Sequence, residues 1–182
     1  MEIRSALAAF DFGSPKSRPL YDIDTIVLHR ISVAHVHGFD DSPMGIARFF
    51  EEHPEGIAAC GGSPPYHFLI DAKGIIHQAL RLLEVANGAK GFNRRGIQIA
   101  LIGNFTKAPP SKEQLAAAEQ LCAALALFSL EVMGHTEKPG TSTDPNKDCP
   151  GRFIDLPKFR AMVKLRAAAI PQQPPAVYGI AL

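Results

Sequence analysis

Residues 24–29 read Asp24-Thr-Ile-Val-Leu-His29, a short apolar run, rich in β-branched side chains, that stops on a histidine. Such a run suits a buried strand, and its end is where a strand delivers a side chain to a cleft. A second run of the same kind is Gly96-Ile-Gln-Ile-Ala-Leu-Ile-Gly103. Between them, Tyr66–Asp71 and Gly74–Leu80 are strand-like and meet at the turn Asp71-Ala-Lys-Gly74, which predicts a hairpin. Around these strands lie three helical stretches. Asp41-Ser42-Pro43 supplies a cap and a first-turn proline for a helix through about Glu52. Ser111, with Glu113 and Gln114 near the capping-box position, starts a helix whose apolar residues recur through Met133. A last helix is expected over Leu156–Ala169, and residues 54–65 and 134–155 read as loops. Strands mixed with helices predict an α/β or α+β domain with a central sheet and helices packed on it.

The chain has 182 residues, enough for one domain with its own core. No internal repeat or interdomain linker is evident. The reading is therefore an extension over 1–22, one domain over 23–169, and a proline-rich tail over 170–182. A net charge of +1 gives no electrostatic reason to bind nucleic acid or an anionic membrane. No stretch approaches the roughly 20 apolar residues of a membrane span, so stable membrane insertion is not expected. Met1–Leu20 lacks the apolar core and cleavage site of a secretory signal. Synthesis in the cytoplasm is expected, with release by another factor if the substrate lies outside. Three cysteines argue against a complete disulfide framework, and Cys122, in an Ala/Leu-rich helical run, reads as a buried thiol.

Chemistry concentrates in the stretch from Gly134 to Arg152, where His135 and Cys149 share one long irregular loop and Lys147 sits two residues before the cysteine. Long irregular loops in compact domains are usually functional or disordered. Thiolate and imidazole together suit zinc, and three protein ligands leave a fourth position for water. The strand-ending His29 is the natural third candidate. Taken singly, each residue has an ordinary reading. His29 would be a satisfied strand-end histidine, Cys149 a free thiol, Lys147 a solvated loop lysine, and Tyr66 an edge aromatic with a wet hydroxyl.

Five runs change the balance because they occur in order: Ile26-Val-Leu-His29, Pro65-Tyr-His-Phe-Leu-Ile-Asp71, Ile97-Gln-Ile-Ala-Leu-Ile-Gly-Asn-Phe105, Gly134-His135 and Lys147-Asp-Cys-Pro-Gly151. Together with Pro110-Ser-Lys-Glu-Gln-Leu115 they resemble the zinc N-acetylmuramoyl-L-alanine amidases, a family that includes amidase-type phage lysozymes and animal peptidoglycan-recognition proteins. The resemblance covers about residues 23–160. It implies a mixed α/β domain, a central mixed sheet flanked by helices, and a zinc ion at the floor of a groove. It carries the zinc ligands onto His29, His135 and Cys149, and the catalytic roles onto Tyr66 and Lys147. Some members have a glutamate on the strand matching 97–102, where this chain has none. The branch that relies on a tyrosine is the better match, with Tyr66 orienting or deprotonating the water and Lys147 stabilising the oxyanion.

The implied substrate is peptidoglycan or a muropeptide, with Arg30, His35, Asn87 and Asn93 as candidate contacts. Asn87 stands where many relatives carry a histidine, in the loop before the 96–103 strand, so sugar or peptide contacts are expected to differ. The 135–149 loop is longer than in many members and would reshape one end of the groove. His35 and His37 form a His-x-His with no third partner, His67 reads as structural, His53 ends a helix where a histidine suits the dipole, and His77 lies in a strand with no obvious partner. Three functions compete: an endolysin-like enzyme that lyses walls, a cytoplasmic muropeptide-recycling amidase, and a peptidoglycan-binding module that does not cut.

Overall fold

The two apolar runs pair with each other at the middle of the sheet. In the computed structural model, which describes residues 1–11, 13, 15–53, 63–126, 130–138, 148–170 and 179–182, β2 (Thr25–Ile31) lies parallel to β5 (Gly96–Ile102), with Ile26 opposite Ile97 and His29 opposite Ala100. Strand β3 (Phe68–Ile70) joins β5 in parallel, and β4 (Ile76–Gln78) returns antiparallel to β3 as the predicted hairpin. The edges are β1 (Ile3–Ser5), parallel to β4, and β6 (Glu131–Gly134), parallel to β2. The sheet is therefore six-stranded and mixed, in the order β1-β4-β3-β5-β2-β6.

Both faces of the centre are covered, which is why β2 and β5 are mostly apolar rather than alternating, with His29 and Gln98 among the buried polar exceptions. One face carries Ile26, Leu28, Phe68, Ile70, Ile97, Ile99 and Leu101 against α2 (Lys112–Leu125) and α3 (Leu156–Ala169). The other carries Leu69, Ala100 and Ile102, packed with Phe10, Ile46 and Phe50 of the N-terminal segment and α1 (Pro43–Glu52). His29 opposes Ala100 and so shares this second face. The expected mixed α/β architecture is present; α1 and α2 begin at the caps read from sequence, and α3 begins at Asp155, a cap the sequence reading did not name. Ser42 Oγ accepts from Gly45 N–H at 2.9 Å, Ser111 Oγ from Gln114 N–H at 3.0 Å, and Asp155 Oδ1 from Lys158 N–H at 3.0 Å.

The second helix does not run to Met133, as the recurrence of apolar residues predicts; it ends at Leu125, and Glu131–Gly134 is strand β6. From Leu130 the burial alternates: Leu130 and Val132 are buried while Glu131 is exposed, a period of two that pairing with β2 rewards with backbone hydrogen bonds. His77 also departs from expectation, because its Nε2 lies 3.1 Å from Asp71 Oδ2 across the hairpin turn. Residues 1–22, read as an extension, contribute the edge strand β1 and the buried Arg18. From the tail, Ile180 is buried, and Ala181 exchanges hydrogen bonds with the Gln78 side chain at 2.8 and 2.9 Å. The expected loop over 54–65 falls mostly outside the described residues, as do 171–178 of the tail. No helix among the described residues is long and apolar enough to cross a membrane.

Candidate metal centre

Strand β2 delivers His29, the end of β6 delivers His135, and the segment before α3 delivers Cys149. The ligating atoms of these three side chains lie within 4.8 Å of one another. His29 Nδ1 stands 3.8 Å from Cys149 Sγ, and the two imidazole rings are 4.6 Å apart, centre to centre. A tetrahedral zinc with its usual bond lengths would set its nitrogen and sulfur ligands about 3.6 Å apart, so the donor set fits in number, chemistry and spacing.

Local sequence explains how Cys149 reaches this point. Thr136 N–H and Thr136 Oγ1 both donate to the Cys149 carbonyl at 2.9 Å, which ties the cysteine to the turn that carries His135. Gly134 leaves room for this strap: a Cβ there would lie 2.6 Å from Leu156 Cδ1 and 2.9 Å from Pro150 Cδ. Gly151 has φ +115°, and a Cβ would fall 2.6 Å from the Phe105 carbonyl, so only glycine fits. Arg30 braces the same strap. Its N–H points to Cys149 Sγ at 3.4 Å and its Nε donates to the Asp148 carbonyl at 3.0 Å.

The histidine of β2 is held from behind. His29 Nε2 is 2.8 Å from Gln98 Oε1, with Gln98 itself fully buried on β5. Gln98 is not among the site residues predicted from sequence. A lone polar residue inside an otherwise apolar strand was the available signal. Tyr66 lies beside the cluster, its ring 5.2 Å from the His29 ring and tilted by 57°.

The remaining candidates are placed as follows. His35 and His37 are exposed in the turn after β2 and lie outside the gathered cluster. Asn93 donates from its side-chain amide to Asn87 Oδ1 and accepts from Ala89 N–H at 2.8 Å, so both asparagines shape the loop before β5. Lys147 lies outside the described residues. His67 is structural: its Nδ1 accepts from Gln98 N–H at 2.9 Å, and its Nε2 lies 3.0 Å from the Glu84 carbonyl.

Burial dominates the site's protonation. It pushes the Cys149 thiol up to about 11, against the opposing pull of the Arg30 N–H and charge, so a metal must expel that proton to bind. Burial, then the neighbouring His135, lowers His29 to about 3, and the Gln98 bond only partly offsets this. Burial, then the Arg18 charge, likewise lowers His67 to about 3. Both histidines fold in the neutral form, whereas the unfolded chain takes up protons near pH 6.5. Stability of the metal-free protein is therefore full above pH 6.5 and is lost as pH falls toward 3. Urea unfolding at pH 5.5 should show a loss of roughly 1.4 kcal/mol per buried histidine relative to pH 7.5. An unchanged midpoint would mean that these rings are protonated in the fold.

A family model described as N-acetylmuramoyl-L-alanine amidase matches residues 19–152. No curated protein matches by sequence. Among solved structures, the amidase LysC from Clostridium intestinale URNW aligns with TM-score 0.65 at 20% identity, over 90% of this chain and 98% of that one. The Ph2119 endolysin from the Thermus scotoductus MAT2119 bacteriophage aligns with TM-score 0.61 at 22% identity, over 91% and 99%. A mutant of Drosophila PGRP-LB in complex with tracheal cytotoxin aligns with TM-score 0.61 at 19% identity, over 85% and 91%. These likenesses establish a shared fold.

Proposed function

The chain belongs to the N-acetylmuramoyl-L-alanine amidase family, and on that premise we propose that it is a zinc-dependent hydrolase of the bond between N-acetylmuramic acid and L-alanine in peptidoglycan. The observation that carries the reading is the complete cluster of His29, His135 and Cys149, with ligating atoms within 4.8 Å of one another. Bound there, zinc would polarise the scissile carbonyl and lower the pKa of a water from about 15.7 towards 7. Two neutral imidazoles and one thiolate would leave the site formally +1, which suits attack on a poor electrophile.

The chain's own groups supply the rest. Tyr66, beside His29, either orients the attacking water through its hydroxyl or, as the phenolate, takes the water's proton and passes it to the departing alanine nitrogen. Lys147 donates to the oxygen that becomes negative as the carbonyl turns tetrahedral. The products are a free lactyl carboxyl on the muramic sugar and a free amino terminus on the stem peptide.

The test is hydrolysis by the zinc-loaded full chain, on purified sacculi and on soluble muropeptides, followed by the new amino termini. Release from sacculi supports the endolysin-like reading, and release from muropeptides alone supports a recycling enzyme. Tyr66→Phe should lower kcat by about 10²–10⁴-fold with KM and zinc content little changed; near-normal turnover would remove Tyr66 from the mechanism. A second reading, recognition without cleavage, is supported by the likeness to the PGRP-LB complex with tracheal cytotoxin. Binding of muropeptide with no new amino termini, in protein that carries zinc, would favour it.

A further inference from the structure

The side chain of Gln98 sits where it decides which nitrogen of His29 faces the metal site. Its two ends differ chemically: Oε1 only accepts and Nε2 only donates. The Nε2 end lies 3.3 Å from the Phe92 carbonyl, which can only accept, so the donor end of the amide belongs there. The oxygen end is then the one 2.8 Å from His29 Nε2. Facing an acceptor, that nitrogen must carry the proton, and in a neutral imidazole the lone pair then falls to Nδ1. Nδ1 is the atom that stands 3.8 Å from Cys149 Sγ.

The amide has little freedom to turn over. Gln98 is fully buried, its backbone N–H and C=O are both used by His67, and a Cβ at Gly96 would lie 2.6 Å from Gln98 Nε2. The same amide joins the metal ligand to the loop 87–93, through the Phe92 carbonyl.

We propose that Gln98 is a positioning residue that fixes His29 in the Nε2–H tautomer, with Nδ1 preset to take the metal. The proposal rests on the reading of His29, His135 and Cys149 as zinc ligands. An acceptor behind a ligating histidine fixes its tautomer and ring orientation, and its loss typically costs 10–100-fold in metal affinity. A buried glutamine serves as acceptor here without adding a charge that burial would penalise.

The experiment compares zinc affinity, by competition with a chromophoric chelator, in the wild-type full chain, Gln98→Leu and Gln98→Glu. It is paired with ¹⁵N spectra of His29 in each metal-free protein. Gln98→Leu should weaken zinc binding 10–100-fold and leave His29 as a mixture of tautomers. Gln98→Glu keeps the acceptor, so it should hold the Nε2–H tautomer and bind zinc within a few-fold of wild type. Equal zinc affinity and an unchanged tautomer in Gln98→Leu would overturn the proposal. Equal losses in the two variants would also overturn it, since that pattern marks a packing role. Should Gln98→Leu fail to fold, the wild-type and Gln98→Glu spectra decide, because either one lacking the Nε2–H tautomer is enough to overturn it. A wild-type protein that takes up no zinc would instead overturn the ligand reading on which the proposal stands.

Discussion

Cys149→Ala is expected to remove both the bound zinc and the hydrolysis of peptidoglycan. The thiolate is the only anionic donor in the cluster, and without it two neutral imidazoles must hold a dication. The loss of activity should exceed the roughly 10²–10³-fold that removal of a single oxyanion donor costs, because activation of the water fails along with charge stabilisation. The variant should still fold. The strap is held through the Cys149 carbonyl, which accepts from Thr136 N–H and Oγ1, and alanine keeps that carbonyl. Metal content by plasma emission and amino-terminus release on sacculi, measured on the same preparation, check the prediction. Full zinc occupancy in the variant would move the metal to other donors, with His35 and His37 the first to examine.

Arg18→Met is expected to cost about 3–5 kcal/mol of stability in the zinc-free protein. Arg18 is 3% exposed, and its guanidinium donates to the carbonyls of Leu82, Asn93, Arg94 and Gly96 at 2.8–3.0 Å. Burial lowers its pKa to about 10, with Asp22 opposing the shift, so it stays charged at neutral pH. Methionine fills the stem's volume but leaves those carbonyls without their donor. Lysine would not replace it either, since one ammonium cannot span the same fork of acceptors. Against a typical domain stability of about 5–15 kcal/mol, a loss of this size is severe. Urea unfolding with chelator present measures it, and a change below about 1 kcal/mol would mean that water has taken over the four carbonyls.

Much of this architecture can be read from local sequence, since caps, turns and apolar runs are local properties. Ser42-Pro43 and Ser111 mark helix starts because each serine Oγ accepts from an N–H three residues on; Asp155 caps α3 in the same way without having been read from sequence. The hairpin at Asp71–Gly74 is equally local. Strand β6 was hidden because it is four residues long and follows a helix whose apolar residues can be extended through it. Its identity depends on pairing with β2, which lies far away in the chain. Gln98 escaped for the same reason. That it backs His29 follows from the register of two parallel strands, in which His29 faces Ala100 and Gln98 faces Val27. His77 found its partner in Asp71 only once the hairpin placed them together. The trio His29, His135 and Cys149 was legible through the order of its flanking motifs, not through its spacing.

Strand β2 takes both of its neighbours, β5 and β6, from the later half of the chain, in parallel. An early strand with only late partners gives the domain a high contact order, and such topologies fold slowly because loop closure precedes any reward. A growing chain therefore exposes the run Thr25–Ile31 from the moment it is made until the segment through Gly134 has followed. The same timing protects the metal chemistry. His29 cannot meet His135 and Cys149 before β2 has paired with its late partners, so a metal held by the three would be captured late in folding and would stabilise only the finished form.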